Sequence, residues 1–143
     1  DRAQDRILGI QDAIDAHPNI QLLGLQECKY SFEEAGSALD ELLLGPVHPT
    51  AIICGSDVLA VGAMLRARDL GLQIPEDISI TGFDDINLAR VTTPGLTTVR
   101  VPQHDMGRKA AHVLLGLLDA DAPQPQSYEL MTTIIDRGTL ARV

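Results

Sequence analysis

Short apolar runs that alternate with helical periodicity constrain the fold of this chain more than any other feature. Residues 20–25, 51–54 and 78–82 are rich in Ile and Leu. Each run is followed by a stretch in which apolar residues recur at intervals of three and four. Strands buried on both faces give nearly continuous apolar runs, whereas a half-exposed antiparallel strand alternates. The pattern therefore predicts an α/β fold, a three-layer parallel sheet with helices on both faces.

Capping residues and helix breakers set the limits of the predicted helices. Apolar spacing predicts a first helix over residues 3–14, and because no strand precedes it we interpret the chain as part of a larger architecture. Ser31 stands three residues before a glutamate, which resembles a capping box and predicts a helix over residues 32–44. Ser56 and Asp57 are both N-cap types and predict the start of the next helix.

The second half of the chain continues the same alternation. After residues 78–82 we expect a short helix capped by Asp85, an extended segment at residues 96–101 and a helix over residues 103–118. Residues 128–136 form the last predicted strand. All of the strands are expected to point in one direction, so that their carboxyl ends meet at one edge of the sheet.

The charge balance weighs against a nucleic-acid-binding surface in this chain. Eleven Lys and Arg residues against 20 Asp and Glu residues give the 143 residues a formal net charge of −9. Affinity for nucleic acid comes mostly from Lys and Arg contacts with phosphates, so contact with DNA would have to come from a segment outside this sequence. With 45% hydrophobic residues, the chain can still form one modest core.

Cysteine and histidine usage bears on cofactors and compartment. Cys28 and Cys54 lack the number and spacing of a zinc site or a disulfide framework, so we interpret them as free thiols in a reducing cytoplasm. The four histidines show no metal spacing, and no metal or other cofactor is expected. No run approaches the roughly 20 apolar residues of a membrane span. We therefore expect a cytoplasmic chain without membrane association.

Polar residues at the predicted strand exits indicate a ligand site. In an open parallel sheet, ligands bind beyond the carboxyl ends of the strands. Tyr30, Ser56 and Asp84 each follow a predicted strand, and Arg6 lies about one turn into the first helix, at the same edge. Guanidinium and carboxylate groups can each hold two neighbouring hydroxyls, and an aromatic ring can cover an apolar face. The set predicts a sugar or a nucleoside as ligand.

Each of these residues also has a purely structural explanation. Ser56 or Asp57 can serve only as a helix cap, Arg6 can be a solvated partner of a nearby aspartate, and Tyr30 can be a packing residue. Two adjacent acids after one strand exceed what a cap requires. We therefore assign ligand contact to Asp84 and capping to its neighbour.

Three phrases of the sequence occur in a characteristic register. They are PTAIICGSDVLAVGAMLRARDLGLQIPEDISITGFDD at residues 49–85, TPGLTTVRVP at residues 93–102 and MGRKAAHVLL at residues 106–115. Together they resemble the effector-binding core of LacI/GalR-type transcriptional regulators, nearly end to end. The opening RILGI resembles the Arg-x-x-Gly-aromatic helix of that family, with Ile10 in place of the aromatic residue. The loop that carries Tyr30 has one residue more than the common spacing.

The resemblance implies a type I periplasmic-binding-protein-like core of two subdomains with an effector held between them. Residues 1–98 and 131–143 would form the C-terminal subdomain, and residues 99–130 would cross into the N-terminal subdomain. The DNA-binding headpiece and the first half of the core would lie outside this sequence. The helix over residues 103–118 would then lack the sheet it covers, so we expect a second chain or a rearranged packing to bury its apolar face.

The resemblance also implies residue roles and partners. By position in the motifs, Arg6, Ser56 and Asp84 would contact the effector, with Tyr30 as a further candidate, and Asp57 would cap its helix. The predicted function is effector binding and homodimerisation in a transcriptional regulator, in which closure around the ligand alters the affinity of absent headpieces for operator DNA.

Two other classes of function stay open at this point. One is a periplasmic sugar-binding protein of a transport system, which has a similar fold. The other, less favoured, is an enzyme in which Asp57, Asp84 and Asp85 bind Mg²⁺ for phosphoryl transfer. We expect no enzymatic activity, because no nucleophile and base pair or phosphate-binding loop accompanies these acids.

Overall fold

The computed structural model describes residues 2–118 and 127–141. Helices and strands alternate through most of this part of the chain. In chain order they are α1 (Arg2–Asp15), α2 (Phe32–Leu43), β1 (Ala51–Ile53), α3 (Asp57–Asp69), β2 (Ser79–Asp84), α4 (Leu88–Val91), β3 (Thr97–Arg100), α5 (Gln103–Gly116) and β4 (Thr133–Ile135). None of the described helices combines the length and the apolar character needed to cross a bilayer.

The four strands form one mixed sheet in the order β1-β2-β3-β4. The pairs β1/β2 and β2/β3 are parallel, which confirms the predicted parallel sheet for these strands. The prediction that every strand points the same way is wrong for β4, which pairs antiparallel with β3. The chain leaves β3 at the carboxyl edge and returns at that same edge, so β4 runs in the opposite direction.

The predicted first strand at residues 20–25 is also wrong. These residues form no ladder with the described strands, and Ile20 and Leu25 are exposed. An apolar run indicates that a segment favours burial, but a strand also needs a neighbouring strand with which to exchange backbone hydrogen bonds. Ile53 on the outermost strand is exposed as well, so this edge of the sheet is uncovered in the described chain.

The core lies around α3, which packs on β2 on one side and on α2 on the other. The buried side chains of this core include Leu39, Ala60, Met64, Ile78, Ile80 and Leu96. Helix α2 begins as predicted, since the Ser31 hydroxyl accepts a hydrogen bond from the Glu34 N–H at 3.2 Å. Gly71, with φ 81°, follows α3 and adopts the left-handed conformation that commonly ends a helix.

Helix α5 forms where the sequence predicts it, but none of its residues is buried. Its leucines, including Leu114, are exposed, and the neighbouring Leu118 is 75% exposed. A contact of 3.7 Å between Lys109 Nζ and the Tyr128 ring centroid joins the helix to the returning segment. Helix α5 therefore extends from the core instead of covering a sheet in this chain.

Candidate functional site

Helix α1 meets the exits of β1 and β2 through Arg6. The Arg6 guanidinium donates a hydrogen bond to the carbonyl oxygen of Gly55, which follows β1. The same guanidinium lies over the ring of Phe83, with Cζ 4.5 Å from the ring centroid. Phe83 directly precedes Asp84 at the end of β2. One cationic side chain and one carboxylate therefore lie at the same edge of the sheet, although they are 78 positions apart in the chain.

Ser56 is placed by its role as a helix cap. Its hydroxyl oxygen accepts a hydrogen bond from the Leu59 N–H at 3.3 Å, which fixes the start of α3. The residue is only 4% exposed, so little of its surface is accessible to a ligand.

Asp57 does not cap α3, and the capping role predicted for it is wrong. It is fully buried, and its carboxylate accepts hydrogen bonds from the Ile86 N–H at 2.8 Å and from the Thr98 hydroxyl at 2.5 Å. These bonds join the start of α3 to the β2 exit and to β3. Gly82 is required beside it, because a Cβ at that position would collide with the Asp57 carboxylate. Burial raises the pKa of Asp57, and the two hydrogen bonds oppose that increase.

The backbone after β2 has an unusual conformation. Asp84 and Asp85 both have positive φ angles, 111° and 54°. Residues other than glycine rarely adopt such angles, and each such residue costs about 1–3 kcal/mol, so the conformation persists only where surrounding contacts impose it. Aspartate tolerates this region better than most residues, because its short polar side chain can bond locally. The two acids therefore occupy a turn that neighbouring contacts have to hold in place.

Asp85 is the centre of an ion-pair cluster, which we call the Asp85 cluster: Asp85, Arg90, Arg100 and Arg137. Its side chain is only 1% exposed, and its oxygens lie 2.5 Å from Arg137 Nη2, 2.6 Å from Arg100 Nε and 3.6 Å from Arg90 Nη2. The predicted capping role is wrong here too, since α4 begins at Leu88 with Asn87 as its N-cap. Sequence spacing predicts neither the antiparallel pairing of β4 with β3 nor the position of Arg137 beside Asp85.

A cleft of about 280 Å³ adjoins the Asp85 cluster. Its lining comes from the β2 exit, α4, the end of β3 and the start of α5, namely Asp84, Asp85, Arg90, Arg100, Val101, Pro102, Gln103, His104 and Asp105. The wall therefore carries both carboxylate acceptors and guanidinium donors, which suits polar ligands with several hydroxyl groups.

Tyr30 lies in the loop before α2 and is 64% exposed. Its role as a further ligand contact stays a prediction. Cys28 and Cys54 are free thiols. Burial, together with the nearby Cys28 and Asp57, raises the pKa of Cys54 to about 12, so this thiol stays protonated and weakly nucleophilic at neutral pH.

Comparison with known proteins identifies the fold. Residues 1–140 match the family described as the periplasmic binding protein-like domain. The HTH-type transcriptional repressor PurR of Escherichia coli O139:H28 is 37% identical over 109 residues, which make up 76% of this chain and 32% of the repressor. The solved transcription regulator GntR from Chromobacterium violaceum superposes with a TM-score of 0.88 at 33% identity, over 97% of this chain and 52% of that one.

A LacI family transcriptional regulator from Enterococcus faecalis V583, solved with bound ribose, superposes with a TM-score of 0.87 at 26% identity over 99% of this chain. The chain spans about half the length of that regulator and about a third of the length of PurR. The matches cover the three phrases and the mixed sheet alike. The chain belongs to the periplasmic binding protein-like domain family, and the solved structures similar to it include a LacI family transcriptional regulator.

Proposed function

We propose that this chain is the part of a bacterial transcriptional repressor that binds a sugar-like effector, without enzymatic activity of its own. The proposal rests on one observation: Arg6 contacts the exits of both β1 and β2, next to Asp84. The Arg6 guanidinium, a hydrogen-bond donor, and the Asp84 carboxylate, an acceptor, therefore lie at the edge of the sheet where ligands bind in open parallel sheets.

The chemistry of these two side chains favours vicinal hydroxyl groups. A guanidinium donates through several N–H groups in a fixed geometry, and a carboxylate accepts through two oxygens. The Phe83 ring beneath Arg6 restricts the orientation of the guanidinium. The ribose bound by the Enterococcus faecalis regulator makes a pentose, free or within a nucleoside, the first candidate for the effector.

Effector binding would act by shifting a conformational equilibrium. A ligand held between two subdomains favours the closed arrangement only by its higher affinity for that arrangement. We infer that the chain crosses into the second subdomain after β3, within the predicted residues 99–130, and comes back before β4, which accords with the antiparallel pairing of β4 and with the lack of buried residues on α5. The formal charge of −9 weighs against DNA contact by this chain itself, so we infer that a headpiece outside it makes that contact, in a cytoplasmic repressor.

A homodimer would place two headpieces on one operator. A largely apolar cleft of about 440 Å³ between α3 and α4 offers a surface for such a contact. It is lined on one side by Met64 and Leu65 and on the other by Val91, whose side chain is exposed. Exposed apolar surface bordered by polar residues is typical of a protein interface.

Phosphoryl transfer with Mg²⁺ has less support than effector binding. The acids assigned to that alternative are already used within the fold: Asp57 accepts two hydrogen bonds, and Asp85 is ion-paired with arginines. No observation favours a periplasmic transport protein over a regulator.

The test is the effector response of the intact protein in a thermal unfolding series with ribose and a panel of other sugars and nucleosides. A ligand at 100 times its Kd stabilises the folded state by about 2.7 kcal/mol, so a true effector raises the Tm measurably. Asp84→Asn should weaken binding at least tenfold, because a hydrogen bond to a charged group contributes about 1.5–3 kcal/mol. Asparagine also tolerates the positive φ of this position.

The matched control is Asp40→Asn, which breaks an Asp–Arg pair between α2 and α3, away from the strand exits. Its response to the effector should equal that of the unchanged protein. A panel of sugars and nucleosides that leaves the Tm unchanged, or an Asp84→Asn variant that responds normally, contradicts the proposal.

A further inference from the structure

The carboxylate of Asp85 connects three separate parts of the chain. Asp85 follows β2, Arg100 is the last residue of β3, and Arg137 follows β4. One carboxylate oxygen bonds to Arg137 and the other to Arg100, so both oxygens are occupied by guanidinium groups. A helix cap would need neither a buried carboxylate nor two arginines from distant strands.

Arg137 is held as firmly as the acid it pairs with. Its Nη1 donates to the Leu96 carbonyl oxygen at 2.6 Å, and its backbone N–H donates to the Thr97 hydroxyl at 2.9 Å. The aliphatic part of the side chain packs beside Gly95, where a Cβ would lie 3.2 Å from Arg137 Cδ. The side chain is only 17% exposed. A displacement of the segment after β4 would therefore also displace β3.

Arg100 relates the cluster to the candidate effector site. In the sheet register, Arg100 stands opposite Asp84 on β2 and opposite Thr133 on β4. The turn of Asp84 and Asp85 has positive φ angles at both residues. On the far side of that turn, the Ile86 N–H is bound by the buried Asp57. Contacts at Asp85 and at Ile86 thus hold the two residues that directly follow Asp84.

The ion pairs keep Asp85 charged. Burial alone would raise the pKa of Asp85, but hydrogen bonds and charges from Arg137 and Arg100 outweigh it, and the pKa lies below its ordinary value. Asp85 is therefore charged at neutral pH, where its ion pairs connect the β2 exit to the two arginines.

We propose that Asp85 is a positioning residue for the effector response: its carboxylate joins the β2 exit that carries Asp84 to the strands on which the chain leaves and re-enters this subdomain. This inference rests on the proposed function, in which β3 and β4 lead to and from the second subdomain. Asp84 and the two crossing segments then move as one body, so closure around an effector and the position of the crossings are coupled.

The first experiment is hydrogen exchange on the intact protein and its Asp85→Asn variant, without any ligand. Amide exchange should accelerate at least tenfold in two separate segments, residues 84–87 and residues 133–137. Helices α2 and α3 should keep their protection, because they pack mainly against each other. Arg100→Gln, which leaves the Arg137 pair intact, should accelerate the same two segments to a smaller extent and provides a milder variant if Asp85→Asn folds poorly.

Asp40→Asn is the matched control, since Asp40 also pairs with an arginine, Arg66, at 2.8 Å. It should leave residues 84–87 and 133–137 unchanged. Uniform acceleration of exchange over the whole chain in both cluster variants, or acceleration confined to residues 84–87, would show that Asp85 does not join the segments and would overturn the proposal.

The second experiment derives the Kd for ribose from the dependence of the Tm on ribose concentration. Asp85→Asn should raise this Kd at least tenfold, whereas a merely structural role would lower the Tm and leave the Kd unchanged. If the unchanged protein ignores ribose and every other sugar, the proposed function fails. The exchange experiment, which needs no ligand, then decides alone on the role of Asp85.

Discussion

Two buried carboxylates at the carboxyl edge of the sheet should respond to pH in opposite directions. The pKa of Asp57 is raised, chiefly by burial, so its folded form prefers the proton. Its contribution to stability is greatest below the unfolded pKa of about 3.9 and is lost as the pH rises through the raised value. The pKa of Asp85 is lowered, because its arginine partners outweigh burial. Its contribution is present above about pH 3.9 and is lost as the pH falls through the lowered value.

Asp57→Asn and Asp85→Asn therefore form a matched pair for urea unfolding between about pH 3 and pH 7. The stability advantage of the unchanged protein over Asp85→Asn should grow as the pH rises through this range. Its advantage over Asp57→Asn should shrink as the pH rises. If both differences change in the same direction, the assignment of opposite electrostatic environments is wrong.

The roles of individual site residues were hard to predict where two neighbouring residues have similar chemistry. The sequence placed Ser56, Asp57, Asp84 and Asp85 at strand exits, and all four lie there in the structure. Roles within each pair were not separable, because serine and aspartate are both good caps. Ser56 caps α3 while Asp57 is buried, and Asp85 binds arginines that are 15 and 52 positions away. Those partners depend on strand order, which local spacing does not encode.

At the scale of elements, the contact between α2 and α3 depends on one glycine. A Cβ at Gly62 would lie 2.6 Å from the Phe32 carbonyl oxygen and 2.8 Å from Ala35 Cβ. Because one of these atoms belongs to the backbone of α2, the helices would have to move apart to admit a methyl group. Close approach of the two helices therefore needs the missing side chain.

Gly62→Ala should lower the free energy of unfolding by about 1–3 kcal/mol, since overpacking outweighs the gain in helix propensity. Gly9→Ala in α1 is the control, because nothing lies within 4 Å of a Cβ there. That variant should be neutral or more stable by up to about 1 kcal/mol. Urea unfolding of both variants measures the two effects. Equal effects of the two substitutions would contradict the packing explanation.

Helices and strands were predicted correctly where the sequence carries a local signal, such as a capping residue or an apolar run, and the fold supplies the element with a neighbour. Helix α2 has its capping serine, and β1 and β2 have each other as neighbours. The apolar run at residues 20–25 has the composition of a strand but pairs with none of the described strands. The direction of β4 is set by the path of the chain after β3, and residue periodicity carries no information about direction.

The whole molecule leaves a large apolar surface exposed beyond β3. On α5 and just after it, Leu114, Leu115 and Leu118 are exposed, and on the return segment Met131 and Ile134 are exposed as well. Apolar side chains exposed in this number on two neighbouring segments indicate contact with another chain or domain. The solved regulators are about twice as long as this chain, so the remainder of such a protein is one source of that cover.

When the 143-residue chain is studied by itself, this surface should drive self-association. Sedimentation velocity at increasing concentration should show dimers or larger species, and the double substitution Leu114→Glu and Leu118→Glu should shift the distribution toward monomer. Leu44→Glu, on an exposed leucine after α2, is the matched control and should leave association unchanged. A chain that stays monomeric at all concentrations while α5 remains open to water would contradict the expectation that this face requires a partner, because the exposed leucines would then carry no measurable hydrophobic cost.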